Sequence, residues 1–209
     1  MKSKHEALIL VDIQNDFLPG GALAITRGDE VIPVANRWVP EFDNVITTQD
    51  WHPPNHASFA SNHRGHRIGD VVKVGDIDQV LWPDHCVQFS EGAAFADALE
   101  IRCDVAIFRK GTDPTMDSYS GFFDNGHKHA TGLHDYLHEH QINRLFIMGL
   151  ATDYCVKYTA LDAAMLNFET SVLIDGCRSV SQSSEDLQEA IEEMQAAGVE
   201  IIHSDEIFG

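Results

Sequence analysis

The chain has 209 residues, 44% of them hydrophobic and 22% charged, which suits one large α/β domain able to bury its own core without staples. Fourteen basic against 33 acidic side chains leave a formal net charge of −19. That field repels a phosphate polymer and an anionic membrane surface, and no Lys/Arg cluster offsets it, so nucleic acid and membrane are excluded as partners while a neutral or cationic small molecule meets no barrier.

Short β-branched runs alternate with longer helical patterns, the signal for βαβ units around a parallel sheet. Residues 7–13 (ALILVDI) predict a first strand, apolar on both faces and therefore central. Residues 30–39 carry apolar side chains at helical spacing after Gly28-Asp29, a helix start. Residues 45–48 predict the second strand, 105–108 the third and 144–148 the fourth. A helix over 153–167 follows directly, with Asp153 as its candidate cap. Residues 170–174 form a fifth strand, 184–197 a helix ended by Gly198, and 199–202 a sixth strand. The expectation is a three-layer, Rossmann-like α/β fold: a six-stranded, mainly parallel sheet with helices on both faces. It forms a single domain over 1–209, with an elaborated loop region at about 50–91 that is rich in Pro, Gly and His and poor in periodicity.

Cysteines at 86, 103, 155 and 177 form no C-x-x-C pair, which leaves a cysteine-only zinc site or a thioredoxin-like motif unsupported. The N-terminal apolar stretch is about five residues, too short for the core of a signal peptide, and no run approaches the length of a membrane span. A cytoplasmic protein with free thiols is expected. Whether copies associate into a homo-oligomer the sequence leaves open.

Ligands of open parallel sheets gather at the carboxyl ends of the strands. Asp12 ends the first strand, Asp50 and His52 follow the second, Lys110 the third and Cys155 the fourth. Cys155 falls in the first turn of the helix near Asp153, where backbone N–H groups and the helix dipole favour a thiolate. Ala151 and Cys155 are the natural N–H donors to an oxyanion there. A carboxylate such as Asp12 can take the thiol proton and return one to a departing amine, and an ammonium such as Lys110 favours both ionised forms. Singly, each has a plainer reading: a buried structural cysteine, a turn-orienting aspartate, a surface lysine. Their convergence on one sheet edge favours catalysis. The plain structural reading is kept for Cys86, Cys103 and Cys177.

Asp50 and His52 stand two residues apart and share a direction in extended chain, and His85 of LWPDHC can add a third ligand. One carboxylate and two imidazoles suit one divalent ion, zinc or alternatively iron or manganese, with positions left open. His56 is a further candidate, either as fourth ligand or behind the ligands. His134 and His138 imitate H-E-x-x-H, but Asp replaces Glu and the segment precedes the fourth strand, so a solvated helix face is expected.

Four segments, VDIQNDFLPGGAL, TTQDWHPPNHASF with LWPDHC, FRKG, and GLATDYCV, resemble the nicotinamidase family within the isochorismatase-like cysteine hydrolases. The resemblance implies an amidohydrolase that converts nicotinamide to nicotinate and ammonia in NAD salvage, with pyrazinamide as a side substrate. It implies Cys155 as nucleophile, Asp12 as proton shuttle and Lys110 as third member of the triad. Asp50, His52 and His85 would hold a metal, usually zinc, that takes the pyridine nitrogen. Phe17 and Trp82 match positions flanking the ring, and the Leu150–Ala151 peptide resembles a cis bond of the family. Vinyl-ether-cleaving isochorismatases are disfavoured because they lack the nucleophilic cysteine. An inactive binding relative would have lost Asp12, Lys110 or Cys155, and all three are present.

Overall fold

A computed structural model describes residues 3–207. Six strands form one sheet: β1 (Glu6–Val11), β2 (Asn44–Asp50), β5 (Ala106–Lys110), β6 (Arg144–Leu150), β7 (Glu169–Arg178) and β8 (Glu200–Ile202). They lie in the order β5-β2-β1-β6-β7-β8, and every pairing is parallel. The unbroken apolar run of β1 explains its central place, because Ala7, Leu8, Ile9, Leu10 and Val11 are all buried. Each large aliphatic side chain so removed from water contributes roughly 1.5–3 kcal/mol. Burial on both strand faces requires helices on both faces of the sheet. Helices α1 (Val31–Trp38), α2 (Leu133–Glu139), α3 (Lys157–Met165) and α4 (Ser184–Ala196) supply these layers.

The strand order sets where a ligand can sit. From β1 the chain builds outward through β2 to β5, then returns with β6 on the other side of β1. The loops leaving β1 and β6 therefore diverge and open a crevice at their carboxyl ends. Gly149 lets the two strands close up just below it: its φ is +130°, and a Cβ there would stand 2.1 Å from the Val11 carbonyl oxygen.

The predicted strands all exist, with shifted ends. Asp50 and Lys110 are the last residues of β2 and β5 rather than residues beyond them, and they are direct partners in the register. Strand β7 runs on to Arg178 past a register shift against β6. The predicted helix over 153–167 opens as a π-helical turn, Thr152–Val156, before α3. Asp153 does not cap it: its carboxylate oxygens accept from Val180 N and Ser181 N at 2.9 Å each. Helix α4 is capped as its sequence suggests, with the Ser183 side chain accepting from Glu185 N and Asp186 N. The loop region holds an unforeseen hairpin of β3 (Val71–Val74) and β4 (Ile77–Val80), which pair with each other alone. Cys103 is exposed, against the buried reading given to it, whereas Cys86 and Cys177 are buried. No helix among the described residues is long and apolar enough to cross a membrane.

Candidate active site

Asp12 leaves β1 in the left-handed region, φ 48°, and Thr48 of β2 holds it there. The Thr48 hydroxyl donates to Asp12 Oδ1 at 2.7 Å while accepting from the Asp12 N–H at 3.2 Å. Lys110 is fully desolvated, and its ammonium stands 2.9 Å from Asp12 Oδ2, 2.7 Å from Asp50 Oδ1, 3.0 Å from the Ser118 carbonyl oxygen and 3.3 Å from Cys155 Sγ. Three protons serve four acceptors, and Asp12 Oδ2 is left without a well-aligned hydrogen bond. That lone pair remains free for the thiol proton.

The electrostatics differ from the sequence expectation at the sulfur. Burial pushes the Cys155 thiol well above its ordinary value, with the Lys110 ammonium pulling against it and the Asp12 and Asp50 carboxylates adding to it. Desolvation thus favours the thiol over the thiolate, so the sulfur depends on a base to take its proton. Burial likewise raises Asp12, against the pull of Lys110, which makes its carboxylate a stronger base. Asp50 goes the other way: burial opposes its charge, yet His52 and Lys110 hold it well below the usual carboxylate range. Lys110 is raised despite its burial, by Asp12 and Asp50.

The other wall is made of imidazoles. His52 Nδ1 donates to the Gly111 carbonyl at 2.9 Å and His85 Nδ1 to the Pro83 carbonyl at 2.8 Å. With a proton on Nδ1, each imidazole in its neutral form offers a lone pair at Nε2. Burial opposes the charged form of His52 and the Asp50 carboxylate favours it, with Nε2 then donating to Asp50. Both Nε2 atoms aim at Asp50 Oδ2, from 3.1 and 3.4 Å. Candidate ligand atoms of Asp50, His52 and His85 all lie within 4.8 Å of one another, and all three residues are buried. One carboxylate and two imidazoles converging in a buried pocket are a donor set that fits a divalent metal, which would take the place of the imidazole protons.

Local backbone pairing joins these ligands from distant segments. His52 N donates to the Cys86 carbonyl at 3.0 Å, Gln88 N to the His52 carbonyl at 2.8 Å, and Cys86 N to Asp16 Oδ2 at 2.7 Å. Phe59 lies fully buried beneath them, its ring 5.4, 5.5 and 5.6 Å from those of His52, His56 and His85. Gly111 must be glycine: its φ is +63° and a Cβ would meet His52 Cε1 at 2.3 Å. His56 is fully buried, with Nδ1 2.7 Å from Ser58 Oγ and no partner at Nε2. Burial and the neighbouring His52 bring it down to about 4. It groups with His52 and Asp117 rather than with Asp50 and His85.

Between the walls lies a small cleft lined by Cys155, Ala151, Asp50, His52 and His85 together. Phe17 and Trp82 both line it. His134 and His138 lie elsewhere, on α2, with the His134 side chain 41% exposed. Sequence reasoning missed Asp117, Tyr119 and Tyr154, which also line the cavity. It missed Gln14 as well, whose buried amide bonds both the N–H and the carbonyl of Asp50 at 2.8 Å. Nothing in the spacing of Asp117 or Tyr119 marks them, whereas Gln14 stood in the first motif and could have been asked what it holds.

Residues 6–206 match the model of the isochorismatase domain. The chain belongs to the isochorismatase family. Its likeness to one branch is strong: the nicotinamidase of Escherichia coli is 50% identical over 92% of this chain and 92% of its own. A solved nicotinamidase/pyrazinamidase of Acinetobacter baumanii superposes with a TM-score of 0.95 at 42% identity, covering 99% of this chain and 100% of that one. The pyrazinamidase of Pyrococcus horikoshii in complex with zinc superposes at 0.79 with 37% identity, over 95% and 99% of the two chains. The resemblance read from the four motifs thus extends along the whole fold, and the chain is a hydrolase of this family. The Leu150–Ala151 peptide is cis, as that resemblance implied.

Proposed function

We propose that this hydrolase is a nicotinamidase, releasing nicotinate and ammonia from nicotinamide through a thioester on Cys155, and that it also accepts pyrazinamide. The observation that carries the reading is one cation, Lys110 Nζ, within 3.3 Å of the Cys155 sulfur and 2.9 Å of the Asp12 carboxylate, beside a lone-pair cluster suited to a metal. Asp50, His52 and His85 would hold the ion, with His56 behind them. Zinc is our assignment, because the donor set suits it and the Pyrococcus relative binds it; iron and manganese fit the same donors. When bound, the ion would supply a Lewis-acidic positive centre suited to the lone pair of a ring nitrogen, and so would help orient the carboxamide toward the sulfur.

The residues of the chain do the rest. Phe17 and Trp82 flank the ring. Asp12 takes the Cys155 proton as Sγ attacks the amide carbon, and Lys110 offsets the charge that develops. The backbone N–H groups of Ala151 and Cys155, in the turn that lines the cavity, receive the oxyanion. Asp12 returns the proton to the amide nitrogen, and ammonia leaves. Asp12 then draws a proton from water, which attacks the thioester carbonyl; nicotinate departs and the thiol is restored. The unpaired thiols fit a cytoplasmic enzyme. Coupled measurement of ammonia and nicotinate from nicotinamide tests the assignment, with metal content measured on the same sample. Equal amounts of both products are expected, and absence of turnover by the metal-loaded protein would refute it.

A further inference from the structure

The hairpin β3–β4 is exposed or half-exposed at every position but one: Gln79, 2% exposed. A lone buried amide on an otherwise wet hairpin needs partners, and it has three. Its Nε2 stands 2.8 Å from the Val80 carbonyl oxygen, 3.0 Å from Asp117 Oδ2 and 3.1 Å from the Tyr119 hydroxyl, so its two N–H groups are shared among three acceptors. The amide cannot be turned over, since its oxygen would then face a carbonyl and a carboxylate, which are acceptors only. The Tyr119 hydroxyl also accepts from the Trp82 indole N–H at 3.3 Å. Trp82 and Tyr119 both stand against Tyr154, with ring centroids 4.9 and 5.3 Å apart. Trp82, Tyr119, Tyr154 and Asp117 all line the cavity, while Gln79 does not.

We infer that Gln79 is a positioning residue: from outside the cavity it sets, through the Tyr119 hydroxyl, the angle at which Trp82 meets the substrate ring. This rests on the reading of the cavity as a site for a flat ring amide. Gln79 touches neither Cys155, Asp12 nor Lys110, so its loss changes how the ring is held and leaves the thiol chemistry intact. Binding that is equal in ground and transition states shows in KM and not in kcat.

The test compares Gln79→Met, which keeps length but cannot donate, with Gln79→Glu, which sets a second carboxylate against Asp117. Both are assayed on nicotinamide in the metal-loaded enzyme, with melting temperatures recorded. Gln79→Met should raise KM about five- to tenfold, the effect of one or two lost hydrogen bonds, with kcat within about twofold. Gln79→Glu should raise it further. Tryptophan emission should shift in Gln79→Met, and the shift should vanish in a Trp82→Phe background. Unchanged KM in both variants, or a fall in kcat and melting temperature with KM intact, overturns the inference. A native enzyme that releases no ammonia overturns the nicotinamide reading instead, and the emission comparison then decides the role of Gln79 by itself.

Discussion

Asp12, Lys110 and Cys155 reach the cleft from the ends of three parallel strands, whereas His52, His56 and His85 reach it from a segment with almost no regular structure. The first group needs few special anchors. Sheet register already sets Asp50 opposite Lys110, and the crevice between β1 and β6 already faces Asp12 toward the turn that carries Cys155. The second group is held by individually placed hydrogen bonds: His52 to Gly111, His85 to Pro83, Cys86 to Asp16. Reacting groups ride on the rigid scaffold, and the loops supply recognition. Asp50 belongs to both, since one carboxylate oxygen meets Lys110 and the other meets the imidazoles.

If the two walls are separable, substitutions should divide cleanly. Cys155→Ala should lower turnover by roughly 10⁴-fold or more, because the members of such a unit are non-additive and the nucleophile carries most of the effect. Its metal content, read by elemental analysis, should not change; a loss of metal would show that the walls are one unit. His52→Ala should do the reverse. Metal should be lost by more than the roughly 10–100-fold typical of removing a residue behind a ligand, while Cys155 stays in its fold and remains open to alkylation. Unaltered metal affinity would remove His52 from the ligand set.

Gly111→Ala probes the seam between the walls. A Cβ at φ +63° would press within 2.3 Å of the His52 ring and displace the carbonyl that fixes its tautomer. Metal affinity should fall roughly 10–100-fold, as for loss of a partner behind a ligand. Equilibrium titration with zinc measures it, and a value equal to that of the unsubstituted protein would show that the Gly111 carbonyl does not orient His52.

The same division explains what was legible in the sequence. Strand β1, buried on both faces, reads as a plain aliphatic run that ends at Asp12, and the buried β2 and the half-exposed edge strand β5 carried Asp50 and Lys110 at their ends. The loop wall had no periodicity to read, so His52 and His85 were found by residue type and by motif, and hairpin β3–β4 was not found. Its strands, VVKV and IDQV about the Gly75-Asp76 turn, do carry a β-branched hairpin signal, but they bury only Gln79 and add nothing to the alternating βα rhythm that marks the rest of the fold. The upward push on the Cys155 thiol was also out of reach, because position in a turn is local while desolvation is set by everything packed around it. Asp153 looked like a cap for its place before a helix, and its actual partners, Val180 and Ser181, lie far along the chain.

Gln14 gives the mildest test, and one that reaches both walls at once. It is fully buried, and its amide accepts from Asp50 N and donates to the carbonyls of Asp50 and Ala93, at 2.8, 2.8 and 2.9 Å. One side chain from the segment after β1 thus pins the peptides on either side of Asp50, the carboxylate that serves both walls. Gln14→Leu would leave three buried backbone groups without that partner, at a cost of roughly 1–3 kcal/mol per group left unsatisfied, reduced where water or a small shift restores a bond. A fall in stability of about that single-group size is expected from the denaturant midpoint at unchanged slope. If Asp50 then drifts, metal affinity and turnover should decline together, unlike in Cys155→Ala or His52→Ala. A variant that lost stability while keeping both would show that Lys110 and the imidazoles hold Asp50 by themselves, and that the two walls need no brace behind them.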